Sequence, residues 1–215
     1  MKRILLLTGV LCCALFTVAQ PIPGVQWSMR FGGNGNDVIE KIIPAGNQGW
    51  LVFGTTSSTT GNIGTPQGGT DVWVSFWNKS GRLIWTRNLG FLSGDEFKDV
   101  IYENGIFYIL CSVLFPPYHE IYLVKMNLNG TVLAQQTFGG LADDIPVKLL
   151  KCNDGYMILS KTTSTDLPQH HGGTDLYVIK FQDGGNVFNV QWDKCYGGAS
   201  SDEVLVQNWI IQAMR

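Results

Sequence analysis

Trp27-Ser28-Met29-Arg30-Phe31-Gly32-Gly33-Asn34-Gly35-Asn36-Asp37 decides the fold, because its pattern comes back. An apolar residue, a glycine and an Asp a few positions on recur as Leu89-Gly90 with Asp95, Phe138-Gly139-Gly140 with Asp144, and Tyr196-Gly197-Gly198 with Asp202. Trp27, Trp85 and Trp192 each stand four residues before the apolar member of their copy. The aspartates are 58, 49 and 58 residues apart. A second marker alternates with the first: Gly68-Gly69-Thr70-Asp71-Val72-Trp73 returns 104 residues later as Gly172-Gly173-Thr174-Asp175-Leu176-Tyr177. Periods of this size, built from strands, imply a radial or stacked β architecture.

The segment between the first two aspartates shows what one period contains. Residues 38–43 form a short apolar run stopped by Pro44, and Trp50-Leu51-Val52-Phe53 is a second. After a polar stretch, 54–70, come a third run at 72–77 and a fourth at 83–89, separated by Asn78-Lys79-Ser80-Gly81. Short runs of β-branched and aromatic residues between Gly, Asn, Ser and Pro clusters read as strands. No stretch holds a helical period long enough to compete. The later units place first strands at 100–102 and 145–150, second at 106–110 and 156–159, and third at 121–126 and 176–181. The turns Asn127-Leu128-Asn129-Gly130 and Gln182-Asp183-Gly184-Gly185 carry residues that tolerate positive φ. The 49-residue period is explained by a short second-to-third connection, 111–119, where the neighbours have 54–70 and 160–174.

Four antiparallel strands in about 50 residues make a β-propeller blade, which is stable only when packed between neighbours. The expectation is therefore an all-β, propeller-like array of four-stranded antiparallel blades. Three are full, at about 37–90, 95–139 and 144–197, with a partial blade from 25–31 as a fourth strand and 202–213 as a first strand. A partial blade holding only its innermost and outermost strands leaves edges unsatisfied, so an incomplete or truncated propeller is expected. A β-sandwich is the alternative architecture, but a sandwich does not require a repeat of this length. The aromatic sets Trp73, Tyr122, Tyr177 and Trp27, Trp85, Trp192 are expected to pack blade against blade and not to form a ligand cage.

Lys2 and Arg3, an apolar stretch over 4–18 and the small-residue site Thr17-Val18-Ala19 form the pattern of a secretory signal peptide over residues 1–19. The apolar stretch falls short of the ~20 residues a spanning helix needs, and Leu11 before Cys12 does not fit a lipoprotein site. The remainder, 20–215, carries 13 basic and 17 acidic residues, with no second apolar span and no Lys/Arg cluster to follow a phosphate backbone. Nucleic acid is thus not an expected partner. Cys111, Cys152 and Cys195 remain after the signal. Their odd number cannot complete a disulfide framework, so buried thiols are expected, with one bridge and one free thiol as the alternative.

At these residues the chain resembles the secreted β-propeller repeat proteins common in Bacteroidetes. Trp27 with Phe31-Gly32-Gly33 and Asp37 matches their W-x₃-FGG-x₃-D junction, and Asp154-Gly155-Tyr156 matches their DGGY-type turn. Val52-Phe53-Gly54-Thr55-Thr56-Ser57-Ser58 and Gly172-Gly173-Thr174-Asp175-Leu176-Tyr177-Val178 match a strand end and a strand start. The resemblance covers roughly 26–202. It implies export and association with the cell surface or outer membrane. It carries no general activity, and the sorting domain that often ends such proteins is missing from this sequence.

The recurrent Asp37, Asp95, Asp144 and Asp202 invite a reading as paired catalytic carboxylates or calcium ligands. Equivalent positions on separate blades need not converge, and an Asp after a glycine turn caps backbone N–H groups, so a structural role is expected. Asp71 and Asp175, with Glu120 in the middle unit, behave similarly. Gly35-Asn36-Asp37 does not reproduce a calcium nonapeptide; no cofactor is expected, and calcium stays a secondary option. His170-His171 point apart in an extended loop and are expected to be polar surface. No nucleophile elbow, P-loop, HExxH or dinucleotide fingerprint occurs, and no catalytic or metal residue is assigned. The expected function is an exported, non-catalytic module that binds a protein or glycan at the cell surface. Its contact loops carry Thr59, Asn62 and Gln67, and Asp166, Gln169, His170 and His171. The competing expectation is a propeller glycoside hydrolase or lyase using channel carboxylates.

Overall fold

The computed structural model describes residues 24–203 other than Gln26 and Ser93. The signal-peptide reading of 1–19 and the first-strand reading of 204–213 lie outside those residues. Within them the protein is all-β, with no helix. The first sheet holds β1 (Asp37–Pro44), β2 (Gly49–Thr56), β3 (Asp71–Asn78) and β4 (Leu83–Leu89). The second holds β5 (Asp95–Glu103), β6 (Ile106–Phe115), β7 (Tyr118–Asn127) and β8 (Val132–Phe138). The third holds β9 (Asp144–Cys152), β10 (Gly155–Thr162), β11 (Asp175–Asp183) and β12 (Phe188–Tyr196). Every sheet is a four-stranded antiparallel meander in chain order, and none closes on itself.

The repeat extends to the irregularities. Glu40, Lys98 and Val147 are each the extra residue of a bulge three positions after the strand-opening Asp. Ile84, Leu133 and Gln191 are bulged in the same way on each fourth strand. A bulge re-aims the side chain beyond it and sharpens the local twist. Behind the first set of bulges lie Lys41, Asp99 and Lys148, one from each sheet. Asp99 sits between the two lysines, at 2.6 and 2.9 Å, and also accepts the Leu149 N–H. Burial pulls the Asp99 carboxyl upward, but the lysines outweigh it and hold the group below the usual carboxylate range.

Two apolar layers join the three sheets. Leu51, Phe53, Val72, Val74 and Phe76 of the first sheet meet Phe97, Phe107, Ile109, Tyr122 and Met126 of the second, with Phe53 stacked on Phe97 at 5.5 Å. On its other face the second sheet sets Tyr108, Leu110, Ile121 and Leu123 against Tyr156, Ile158, Tyr177, Ile179 and Phe181 of the third. Alternate residues of β7 thus feed opposite layers, as the two-residue period of a strand demands. The outer face of the first sheet is only partly covered. Phe31 stacks on Trp73 at 4.5 Å, while Ile39, Ile42 and Trp50 stay exposed.

Two expectations need correction. Residues 111–119 of the middle unit are not a loop: β6 and β7 pair down to Phe115 and Tyr118, leaving Pro116-Pro117 as the whole connection. Cys111, Ser112 and Val113 are all buried there, so the polar residues that read as a loop are strand residues inside the protein. Of residues 25–31, expected as a fourth strand, Val25 and 27–31 form no ladder with any described strand, because a strand needs a neighbour to pair with. The β5 strand also begins at Asp95, ahead of the expected 100, since Phe97 fills the first apolar layer. Cys111 and Cys195 are buried free thiols and Cys152 is a partly buried one.

Candidate functional site

One end of the sheets carries the β4–β5 and β8–β9 junctions together with the two long connections, 57–70 and 163–174. Backbone bonds tie these pieces to one another: the Asp95 N–H donates to Thr70 O at 2.8 Å and the Asp202 N–H to Thr174 O at 2.6 Å. The recurrent aspartates organise this end. Each accepts the backbone N–H of the residue four positions earlier: Gly33 to Asp37, Phe91 to Asp95, Gly140 to Asp144 and Gly198 to Asp202, at 2.6–2.8 Å. Asp71 and Asp175 do the same for Gln67 and His171. The glycine of the repeat gives the carboxylate its room. At Gly90 (φ 142°) a Cβ would lie 2.0 Å from Asp95 Oδ2, and at Gly139 (φ 151°) 1.9 Å from Glu120 Oε2 and 2.6 Å from Asp144 Oδ2.

Hydroxyls complete the cradle. Thr56 and Ser58 donate to Asp37, and Ser164 donates to Asp144 at 2.8 Å. The same serines accept the Gly35 and Ala142 N–H groups, which explains the Thr/Ser run at the ends of β2 and β10. Hydrogen bonds hold Asp37 below the usual carboxylate range in spite of its burial. At the fully covered junctions burial wins. Asp144 is raised, Asp95 is pushed up to about 6, and Glu120 to about 7, the last by burial first and then by Asp144, Asp166 and Asp143.

The loop residues singled out from sequence come to this same end, and most are tied to it. Thr59 N–H donates to Asn34 Oδ1, Asn62 Oδ1 accepts the Gly32 N–H, Gln67 N–H donates to Asp71, and Asp166 Oδ1 accepts the Leu141 N–H. Gln169 adopts φ 61°. His171 keeps an exposed ring, with Nδ1 3.9 Å from Asp175, whereas His170 Nε2 is buried without a partner. A depression of about 280 Å³ opens here between Asp143, Lys161, Thr163, Thr174, Ser201 and Asp202. Asp37 lines a separate one with Arg30, Gly61 and Asn62. No two of the four repeated aspartates share either depression; Asp95, Asp144 and Asp202 instead have Asp71, Glu120 and Asp175 of the third strands as neighbours.

The third-strand aromatics Trp73, Tyr122 and Tyr177 are buried core, whereas Trp27 and Trp192 of the other set are exposed. Trp73 Nε1 donates to Thr86, Tyr122 Oη to Gln135 and Tyr177 Oη to Asp193, each one residue beyond the tryptophan position of its own fourth strand. Trp27 and Trp85 lie over Gly81 and Gly130, the positive-φ glycines of the next sheet's third turn, and Trp85 Nε1 donates to Leu128 O. Sequence reasoning missed Lys41, Asp99 and Lys148, whose only signal is the common offset of four from the repeated aspartates. No protein-family model matches the chain, and no curated protein sequence matches it significantly.

Proposed function

We propose that this chain is an exported, non-catalytic β-propeller module that binds a glycan or protein at the cell surface through its long-loop end. The observation that carries this reading is the depression at that end. Its three carboxylates, one ammonium and four hydroxyls are the complement a polyhydroxyl ligand needs, since such ligands are fixed by a few convergent polar groups. The side-chain-to-backbone bonds that fix 57–70 and 163–174 supply a preformed surface, which lowers the ordering cost of binding. The three stacked sheets and the repeat support propeller membership; export rests on residues 1–19. The test is a glycan array and a surface-binding assay on wild type and on Lys161→Ala with Ser201→Ala. Loss of binding with an unchanged circular dichroism spectrum supports the reading, and equal binding by the variants overturns it.

One observation favours a second reading as a glycosidase. Glu120 and Asp144 crowd a single point and Glu120 titrates near 7, and retaining glycosidases place two carboxyls about 5 Å apart with the acid raised. The pair nonetheless lies against Gly139 and lines neither depression. Hydrolysis of any β-glycan that Glu120→Gln abolishes would replace the binding reading with this one.

A further inference from the structure

We propose that the sheet junctions bind a hard divalent cation, Ca²⁺, between an acid near the start of each third strand and the repeated aspartate that follows the fourth strand of the same sheet. The pairs are Asp71 with Asp95, Glu120 with Asp144, and Asp175 with Asp202. Two of them are fixed by geometry. A Cβ on Gly139 would sit 1.9 Å from Glu120 Oε2 and 2.6 Å from Asp144 Oδ2, and one on Gly197 would sit 2.1 Å from Asp175 Oδ1 and 2.5 Å from Asp202 Oδ2. The register makes the positions equivalent, since Thr56, Val113 and Thr162 each pair with the repeated aspartate on one side and the third-strand acid on the other.

An independent observation points to a ligand. Asp71 Oδ1 and Asp175 Oδ1 have no hydrogen-bond partner, and these residues are only 1% and 0% exposed. A buried carboxylate oxygen without a donor costs several kcal/mol unless something positive meets it. The lysines do not. Asp99 has two and Glu96, Glu103, Asp154 and Asp183 one each, whereas among the described residues none pairs with Asp71, Asp95, Glu120, Asp144, Asp175 or Asp202. The basic groups near them are two imidazoles, His171, 3.9 Å from Asp175, and His119, which faces Asp95.

Oxygen-only donors select a hard cation. Among the described residues no three of His, Cys, Asp and Glu converge on one point, so each site supplies two carboxylates. Backbone carbonyls and water fill the other positions, and the affinity belongs to the weak range of about 10⁻⁴–10⁻³ M typical of extracellular modules. The test is calorimetric titration of the chelator-treated protein with CaCl₂ at pH 8, alongside Tm against CaCl₂, MgCl₂ and NaCl at matched ionic strength. Saturable Ca²⁺ heat and a Tm rise not reproduced by NaCl are expected, both reduced in Glu120→Gln and Asp175→Asn. If those variants fail to fold, Tb³⁺ luminescence of the wild type, displaced by Ca²⁺, gives the same reading. Absence of Ca²⁺ heat, an equal response to NaCl, full binding by the folded variants, or no displaceable Tb³⁺ signal overturns the proposal.

Discussion

At the residue scale the repeat is a contract between a glycine and a carboxylate. Gly139 holds φ 151° with Glu120 and Asp144 within 2.6 Å of where a Cβ would stand, while Gly46 holds φ 57° with nothing within 4 Å. Gly46→Ala therefore carries only the left-handed backbone cost of about 1 kcal/mol, and Gly139→Ala adds a clash with two acids. Denaturant melts are expected to show Gly139→Ala destabilised at least twice as much as Gly46→Ala. The same acids set a pH dependence. Glu120, faced by Asp143, Asp144 and Asp166, and Asp95, faced by Asp71 and His119, bind protons more tightly folded than unfolded. Their contribution is full near pH 4 and is lost as pH rises through about 6 to 7. Asp37, Asp99 and Asp183 are shifted downward, so their contribution is present above about pH 4 and lost below it. In metal-free buffer Tm is expected to be higher at pH 5 than at pH 8, with a flatter slope in Glu120→Gln. The glycine and aspartate positions were legible in the sequence because they repeat. The pairing of Asp144 with Glu120 was not, because it joins residues brought together only by the packing of two sheets.

At the element scale Trp85 of the first sheet's fourth strand acts as a latch on the next sheet. Trp85 covers Gly130 and donates to Leu128 O at 2.9 Å, whereas Trp192 is 38% exposed. Trp85→Ala removes a half-buried ring and a hydrogen bond to a carbonyl, a loss of about 2 kcal/mol. Trp192→Ala falls within about 0.5 kcal/mol of wild type, as for a surface change. Urea midpoints of the two variants separate these outcomes. Strand existence was readable almost throughout, since the apolar runs between turn residues are strong signals. The β6–β7 hairpin was misread because Ser112, His119 and Glu120 look like loop residues, and only their cross-strand partners reveal them as strand.

At the scale of the whole molecule the sheets are joined by two apolar layers and by ion pairs, among which Asp99 alone of the described residues belongs to both interfaces. Asp99 touches Lys41 on one side and Lys148 on the other, so Asp99→Asn weakens both interfaces at once. The lysines are about one-third exposed and recover some hydration, which limits the loss to about 2 kcal/mol. A single shifted unfolding transition by calorimetry is expected, in place of two, because each sheet is stable only against its neighbour. The stacking order followed from the period of the sequence. The Lys–Asp–Lys line did not, because it depends on bulges that change which side chains face the neighbouring sheet.

The account rests on the repeated aspartates being backbone clasps at the junctions, and amide hydrogen exchange reads that directly. The N–H groups of Phe91 and Gly140 lie outside any strand, yet they donate to Asp95 and Asp144 at 2.6 and 2.7 Å. They are predicted to exchange as slowly as the paired amides of β7, in the range set by sub-global opening of the fold. Exchange at the rate of a free loop amide would contradict the account, because the aspartates would then be available for some other work.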